Sequence, residues 1–422
     1  MGNIICGTWM TRTCSVMLLL VAASAALPAQ SFTTLHSFNG TDGANPFAGV
    51  IQASDGNLYG TTVSGGANSY GTIFKITTTG SLTTLYNLCS LAKCKDGTNP
   101  YSALLQGTDG NLYGTAQSGG AKQGGTIFEI TLDGSLTTLY NFCSRKHCSD
   151  GMYPQAPLIQ DANGALYGTT RNGGFSDVTT CIFGCGTVFK LYPSGELKKL
   201  HAFSGGDGAF SWAGLVRGKN HTIYGNTFEG GGGPCGDGCG TAFAISLGNF
   251  SSLYLFCSKL KNGLCTDGED PLGGMVLGND GNLYGTTESG GEHDGGMFFE
   301  ITPDGKLTRL YNFCLGWRSG MCADGQEPQG ALIQASDGNF YGTTFWGGNY
   351  ACSLGCGTVF KITPTGILTT LHQFDGTDGS NPESALFQGA DGNFYGTTSK
   401  GGAYGDGTVF SLSADVGEQA GK

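Results

Sequence analysis

A short pattern, an apolar residue followed by Tyr-Gly and then Thr or Asn, recurs seven times along the 422-residue chain. Successive spacings between its tyrosines are 54, 54, 57, 60, 57 and 54 residues, and the tyrosines are Tyr59, Tyr113, Tyr167, Tyr224, Tyr284, Tyr341 and Tyr395. A nearly constant period of this size is typical of solenoids, propellers and linear arrays, in which copies of one unit build a shared core. The chain is therefore one structural unit repeated seven times.

Each unit reads as four short strands, named a to d, that are separated by turn residues. In the second unit they fall at 103–106, 112–115, 125–131 and 135–142, and Asp-Gly or Gly-Gly pairs lie between them. Short runs rich in β-branched and aromatic residues, bounded by such turns, predict antiparallel strands in a meander. No window shows a helical period of useful length, so we expect an all-β fold.

The two ends of the repeat region indicate that the units close into a ring. The last unit has strands a, b and c but lacks strand d, whereas residues 32–38 match the strand d pattern of 369–374. A glycine inside strand b, such as Gly114, indicates inner strands that are crowded near an axis. We predict a seven-bladed β-propeller of four-stranded antiparallel blades, in which the N-terminal strand completes the last blade.

The N-terminus has the features of a secretory signal. Arg12 precedes an apolar run, and small residues follow it up to Ala29, so we predict a signal peptide over 1–29. We predict the propeller over 30–413 and a flexible tail over 414–422. The repeat units fall near 46–88, 100–142, 154–203, 212–256, 271–313, 328–374 and 382–413, the last completed by 32–38.

Fourteen of the sixteen cysteines lie beyond the predicted signal and form seven close pairs, which predicts disulfides in an exported chain. The pairs are Cys89/Cys94, Cys143/Cys148, Cys181/Cys185, Cys235/Cys239, Cys257/Cys265, Cys314/Cys322 and Cys352/Cys356. Four pairs fall in d-to-a loops and three in b-to-c loops, which emerge at one end of the blades, here called the upper face. The seven pairs should decorate that face and pin the shape of its loops. Variable loops on a rigid scaffold are where binding usually occurs.

The charge of the chain restricts its partners. The formal net charge of −11 becomes −12 once Arg12 is removed with the signal peptide. An acidic surface is a poor partner for nucleic acid or anionic lipid, so we expect neither. We also expect no membrane span, since the apolar run of the signal is too short for one. The mature protein is expected to be a monomer in an extracellular or periplasmic compartment.

The repeat resembles a known family. The unit Asp-Gly-Asn-Leu-Tyr-Gly-Thr-Thr, followed by Gly-Gly, Gly-Thr-Ile-Phe-Lys-Ile-Thr and Leu-Thr-Thr-Leu-Tyr, is similar to the Gloeo/Verruco (GloVer) tandem repeat of bacterial exported proteins. The resemblance covers nearly all of 32–413 and implies an extracellular location, but no activity. Some family members end in a sorting anchor, whereas residues 415–422 contain neither an apolar tail nor a sorting motif.

Two sets of repeated residues are candidates for function. An Asp-Gly pair precedes every strand a, so its carboxylates could ring the channel mouth and bind Ca²⁺, although no D-x-D loop is present. Alternatively, each aspartate organises its own turn, the interpretation we favour. These residues are Asp42, Asp96, Asp150, Asp207, Asp267, Asp324 and Asp378. His36, His201 and His372 occupy a strand d position that is tyrosine in other units, which indicates packing.

Aromatic residues of the sixth unit form the predicted ligand site. Trp317 and Arg318 lie in its d-to-a loop, and Trp346 and Tyr350 in its b-to-c loop, so all four should share the upper face. Exposed aromatic rings stack on sugars or anchor protein partners; alternatively, these rings only cover the disulfides. The fourth unit departs most from the pattern, with Asn226 in place of Thr and Trp212 in the position expected for Pro.

No nucleophile motif, phosphate loop or zinc signature is present. We therefore expect a secreted, disulfide-stapled scaffold that binds an extracellular glycan or protein through its upper face without catalysis, cofactor or structural metal. The alternative is a polysaccharide hydrolase or lyase whose site lies at the channel mouth, since paired carboxylates for glycoside chemistry could come from different blades.

Overall fold

The computed structural model describes residues 30–174, 181–315, 317–318, 321–349 and 351–413. The predicted signal peptide and tail lie outside these residues. Twenty-eight strands form seven four-stranded antiparallel sheets arranged as the blades of a β-propeller, with strand order a-b-c-d from the axis outward. The predicted fold class is confirmed. Among the described residues, no helix has the length and apolarity needed to cross a membrane.

The strands recur with nearly constant bounds. Strands a are Ile51–Gln52, Leu105–Gln106, Ile159–Gln160, Val216–Arg217, Val276–Leu277, Ile333–Gln334 and Phe387–Gln388. Strands b are Leu58–Thr62, Leu112–Ala116, Leu166–Thr170, Ile223–Thr227, Leu283–Thr287, Phe340–Thr344 and Phe394–Thr398. Strands c are Thr72–Ile76, Thr126–Ile130, Thr187–Leu191, Thr241–Ser246, Met297–Ile301, Thr358–Ile362 and Thr408–Leu412. Strands d are Leu82–Asn87, Leu136–Asn141, Leu197–Ala202, Asn249–Leu255, Leu307–Asn312, Leu368–Gln373 and, in the last blade, Phe32–Ser37.

A few small elements lie outside the blades. Two-residue ribbons pair Leu260–Lys261 with Leu264–Cys265 and Trp317–Arg318 with Met321–Cys322. Short 3-10 turns are Ala92–Cys94, Lys146–Cys148 and Lys219–His221. The ribbon over 260–265 and the turns Ala92–Cys94 and Lys146–Cys148 lie in d-to-a loops. Each of them includes the second cysteine of a disulfide. All seven predicted disulfides are present.

One cysteine of each b-to-c pair lies at an interface between blades. Cys185, Cys239 and Cys356 are fully buried, and each belongs to a hydrophobic cluster that joins neighbouring blades. Their carbonyl oxygens accept backbone N–H groups of the next blade at 2.9–3.0 Å. The reason is their position at the end of a b-to-c loop, because each lies two residues before a strand c. These three cysteines therefore connect the loops to the inter-blade core.

The ring closes as predicted. Phe32 pairs with Leu412 and Ser37 with Thr408, so the N-terminal strand is the outer strand of the last blade. The Phe32 ring also stacks on Phe410, with centroids 5.2 Å apart, which adds side-chain packing to the ladder. The edge of strand c that the missing C-terminal strand would leave open is thereby covered.

The hydrophobic core lies between the blades. It divides into seven clusters, each of which joins neighbouring blades; one packs Tyr59 and Ile73 of the first blade against Leu112 and Phe128 of the second. Every blade is thus covered on both faces, which is why strands b and c are buried almost along their whole length. A closed ring needs no further layer to cover an apolar face.

The glycine inside strand b has a different cause from the predicted one. A Cβ on Gly114 would lie 2.6 Å from Cζ of Phe128, its cross-strand partner, and 2.9 Å from Cδ2 of Leu104. The phenylalanine ring of strand c therefore lies over the glycine within the same sheet. Crowding near the axis instead concerns residues beside strand a, because a Cβ on Gly49 would overlap the carbonyl oxygen of Ala385.

Candidate functional site

The seven repeated aspartates bind the strand that precedes them. In each blade the tyrosine or histidine of strand d contacts the aspartate carboxylate, at 2.6–3.0 Å. Asp96, which is fully buried, also accepts the backbone N–H groups of Ser90 and Leu91. Burial, with Asp96 second, raises the pKa of Tyr86 to about 12. These contacts support the interpretation that each aspartate organises its loop, and they explain why His36 can replace a tyrosine.

The predicted aromatic site is only partly described. Trp346 is half-buried, and its ring packs edge-on against Phe345 with centroids 4.5 Å apart. Burial raises the pKa of the Glu327 carboxyl, and the Trp346 side chain acts in the opposite direction. Trp317 and Arg318 form one strand of a small ribbon in the d-to-a loop, but their side chains lie outside the described residues, as does Tyr350.

A pocket of about 600 Å³ lies on the propeller axis at the upper face, and we call it the axial pocket. Seven of its residues occupy one equivalent position in each blade, just before strand a: Phe47, Tyr101, Gln155, Trp212, Leu272, Gln329 and Glu383. Four others follow strand b, namely Gln117, Arg171, Phe228 and Glu288. Each blade contributes one residue to the pocket because the seven inner strands surround the same axis.

The position of Trp212 corrects one prediction. Phe210 has a positive φ of 54°, as Asn99 does at 55°, so the two residues are equivalent. Ser211 therefore occupies the proline position of the other blades, and Trp212 is the equivalent of Tyr101. Trp212 is thus a member of the pocket ring rather than a replacement for proline.

Aromatic rings and one cation form one wall of the axial pocket. The Trp212 and Phe228 rings are stacked, with centroids 4.9 Å apart and planes 6° apart. The Arg171 guanidinium lies over the Trp212 ring, 4.9 Å from its centroid. On the first and second blades, the rings of Phe47 and Tyr101 pack with centroids 5.3 Å apart. These contacts fix the shape of the wall, because each ring is held by another.

Several polar atoms of the axial pocket have no protein partner. Within the described part of the chain, Gln155 Oε1, Arg171 Nε and Trp212 Nε1 are buried and make no hydrogen bond. A buried donor or acceptor left unsatisfied costs about 1–3 kcal/mol, so proteins rarely keep three in one place. These two donors and one acceptor are available to ordered water or to a polar ligand in the pocket.

Two carboxyl groups line the axial pocket. Burial, followed by repulsion from Glu327, raises the pKa of Glu288 to about 7, against the hydrogen bond from Gln329 Nε2 at 2.9 Å. Burial likewise raises the pKa of Glu383 to about 7, although Ser399 Oγ donates to it at 2.7 Å. Nearby, burial and the charge of Glu269 raise the pKa of Asp270 to about 7. The site therefore holds carboxyl groups that ionise near neutral pH.

A smaller cavity of about 270 Å³ adjoins the axial pocket and shares its ring residues. Two positions after the ring it is lined by small or compact residues, namely Gly49, Ala103, Pro157, Gly214, Gly274, Ala331 and Ala385. The inner strands therefore bring one small residue per blade to the axis.

Potential metal ligands gather at one other place. The sulfurs of Cys235, Cys239, Cys257 and Cys265 and the carboxylate of Glu269 lie within 4.8 Å of one another. The four cysteines form two disulfides, however, so they offer no thiolate to a metal. The arrangement is two adjacent staples with one carboxylate beside them.

The pocket residues were missed by the sequence-based reasoning, except for the departure noted at Trp212. The signal was available in principle, because the residue after each Asp-Gly-x-x-Pro differs among the units while its surroundings repeat. That position carries aromatic, amide, aliphatic and acidic side chains. Variation at one repeated position, just before each inner strand, is the pattern that marks the pocket.

Fold and pocket together define a β-propeller with disulfide-stapled loops and a polar axial pocket at its upper face. The Gloeobacter/Verrucomicrobia repeat matches residues 24–237, 183–320 and 232–420, so the chain belongs to that repeat family. This confirms the resemblance drawn from the repeat motif. Among curated proteins, none matches this sequence.

Solved structures with the same architecture are distant in sequence. A streptogramin B lyase aligns with a TM-score of 0.58 and 14% identity, over 92% of this chain and 99% of the lyase. Virginiamycin B lyase from Staphylococcus aureus, solved with quinupristin, aligns with a TM-score of 0.58 and 14% identity, over 91% and 99% of the two chains. The extracellular domain of a B. thetaiotaomicron hybrid two-component system aligns with a TM-score of 0.55 and 12% identity, over 91% of this chain and 40% of the other. These likenesses show the propeller fold alone.

Proposed function

We propose that this protein is an exported binding protein that holds a unit of an extracellular glycan in the axial pocket. The carrying observation is the composition of the pocket, in which aromatic rings line the same cavity as amide and carboxyl groups and three buried polar atoms lack a protein partner. Sugars present hydroxyl groups around the ring and apolar C–H faces, which match these two kinds of wall. A volume of about 600 Å³ suits a small ligand better than a protein loop.

Export is part of the proposal. It is supported by the signal-like sequence over 1–29 and by seven disulfides, which persist in oxidising compartments. The predicted rim residues Trp317, Arg318, Trp346 and Tyr350 belong to the proposal as a second contact for longer chains.

One observation favours the alternative, a glycan hydrolase or lyase. Glu288 and Glu383 line the same pocket, and a carboxyl group with a pKa near 7 is suited to act as a general acid. Each of these carboxyls, however, also accepts a hydrogen bond from a neighbouring side chain, which fits a role in holding a ligand. We therefore place binding first.

A matched pair of tryptophan substitutions tests the proposal. The oxidised mature protein, Trp212→Ala and Trp346→Ala are applied to a glycan array, and affinities for the short oligosaccharides that bind are measured by calorimetry. Trp212→Ala should weaken binding at least tenfold, whereas Trp346→Ala should leave short ligands unaffected. The opposite pattern would assign binding to the rim and refute the pocket. New reducing ends in the glycan after incubation would show that the protein cleaves it, and the enzyme alternative would then replace the binding proposal.

A further inference from the structure

The charges that line the axial pocket do not balance. Arg171 is the one basic side chain among the lining residues in the described part of the chain, while Glu288 and Glu383 are acidic. The guanidinium of Arg171 lies against Trp212 and is close enough to Glu229 to favour that carboxylate. Arg171 is therefore partly neutralised on its own side, and among the described lining residues no basic side chain faces the two carboxyl groups.

Among the residues that the structure describes, none that acts on Glu288 is a cation. Its neighbours are Gln329, which donates a hydrogen bond, and the acidic groups Glu327, Asp270 and Glu383. Like charges at this distance make full ionisation of the group costly. A ligand that brings a positive charge would remove this cost, whereas a neutral ligand would leave it.

The surroundings of Glu383 lead to the same conclusion. Ser399 donates a hydrogen bond, and Lys400 contributes some positive charge, but Lys400 is exposed and does not line the pocket. Tyr101, whose ring packs against Phe47, is near enough to Glu383 for that carboxylate to raise the pKa of Tyr101, after burial. Aromatic faces beside a carboxylate are a common environment for ammonium groups.

We propose that the axial pocket prefers glycans that carry a free primary amine, with the ammonium bound on the Glu288–Glu383 side and the ring hydroxyls bound by the amide side chains. This inference rests on the proposed function and names the ligand class of the same site. The unpartnered Gln155 Oε1 accepts from a hydroxyl, and the Arg171 and Trp212 donors serve the opposite end of the sugar.

A pair of ligands that differ only in the amine tests this preference. Calorimetry at pH 6.5 compares oligosaccharides of glucosamine with those of N-acetylglucosamine and of glucose, using the oxidised mature protein. The free amine should bind at least tenfold more tightly than its acetylated counterpart, and added salt should reduce the difference. Equal affinities for the three would overturn the amine preference while leaving the glycan-binding function intact. Binding of none would also overturn the amine preference, and the glycan array would then decide the proposed function separately.

Substitutions locate the effect. The double variant Glu288→Gln/Glu383→Gln should bind glucosamine and N-acetylglucosamine oligosaccharides equally, because glutamine keeps the shape and hydrogen bonds but loses the charge. Glu196→Gln, at an exposed position, is the control and should keep the preference. A preference that survives the double substitution would overturn the proposal. A Ca²⁺ titration of the chelator-treated protein is the last arm: heat that disappears in the double variant would assign the carboxylates to a metal and also overturn it.

Discussion

Replacement of Glu383 by glutamine should stabilise the protein at high pH. Burial raises the pKa of this carboxyl from its ordinary value of 4.5 to about 7 in the folded state. A carboxyl whose pKa is higher in the folded than in the unfolded protein favours folding in its protonated form. Its contribution is complete below about pH 4.5 and is lost as the pH rises through about 7.

The size of the effect follows from the shift. Each pKa unit corresponds to about 1.4 kcal/mol, so a shift from 4.5 to about 7 amounts to about 3 kcal/mol at pH 8. Glutamine resembles the protonated carboxyl and can still accept the hydrogen bond from Ser399 Oγ. Glu383→Gln should therefore match the wild type near pH 4.5 and exceed its free energy of unfolding by up to about 3 kcal/mol at pH 8.

Urea unfolding of the oxidised protein at pH 4.5, 6 and 8, followed by fluorescence, measures this difference. Glu196→Gln is the control, since it makes the same change at an exposed position and should follow the wild type at every pH. A difference between Glu383→Gln and the wild type that does not grow from pH 4.5 to pH 8 would refute the reasoning. It would mean that the carboxyl is solvated or neutralised in solution.

Two further predictions concern the scaffold. Gly114→Ala should lower the free energy of unfolding by about 1–3 kcal/mol, because its Cβ would overlap the Phe128 ring. Gly206→Ala is the control, since a Cβ there lies in open space and should have no such effect. Equal effects of the two substitutions in urea unfolding would contradict the packing described here. Removal of residues 30–38 should abolish cooperative unfolding, and a peptide of that sequence added in excess should restore it. Unchanged unfolding without the segment would contradict closure by Phe32–Ser37.

The ring could be predicted because its contacts repeat with the sequence. The tyrosine of the repeat motif binds the aspartate of its own a-to-b turn, as Tyr59 does with Asp55 at 2.8 Å and Tyr113 with Asp109 at 2.7 Å. Six blades share this local contact and the same hairpin, and the fourth forms its hairpin with the Lys219–His221 turn in place of the aspartate. A missing strand at one end of the repeat region then identifies its replacement at the other. Local cysteine spacing identified the disulfides for the same reason.

Burial at the blade interfaces could not be predicted in the same way. The pairing of Cys181 with Cys185 and of Cys352 with Cys356 follows from short spacings within one loop. The burial of Cys185 and Cys356 depends instead on the neighbouring blade, whose backbone N–H groups reach their carbonyl oxygens. Pairing is a local property of the chain, whereas burial here is a property of the assembled ring.

The axial pocket was missed because its members are far apart in sequence and share only their position in the repeat. Tyr101 and Gln155 are separated by a whole repeat, and no local sequence pattern around one of them indicates contact with the other. Their shared role arises from the convergence of the inner strands on one axis, which is a property of the closed ring. The prediction for Gly114 was wrong for a similar reason, since the phenylalanine ring that covers it, that of Phe128, belongs to the neighbouring strand.

Two departures of the fourth blade lie in different parts of the ring. Asn226 replaces a threonine, yet its side chain donates to the carbonyls of Pro271 and Gly273, the same positions of the next blade that Thr61 reaches at Pro100 and Ser102. That substitution keeps an existing inter-blade contact, while its Oδ1 is buried without a partner among the described residues. Trp212 likewise has an unpartnered Nε1, and its ring is packed on Phe228. The two departures therefore differ in place rather than in kind, since Asn226 lies between two blades, whereas Trp212 lines the cavity to which the proposed function assigns the ligand.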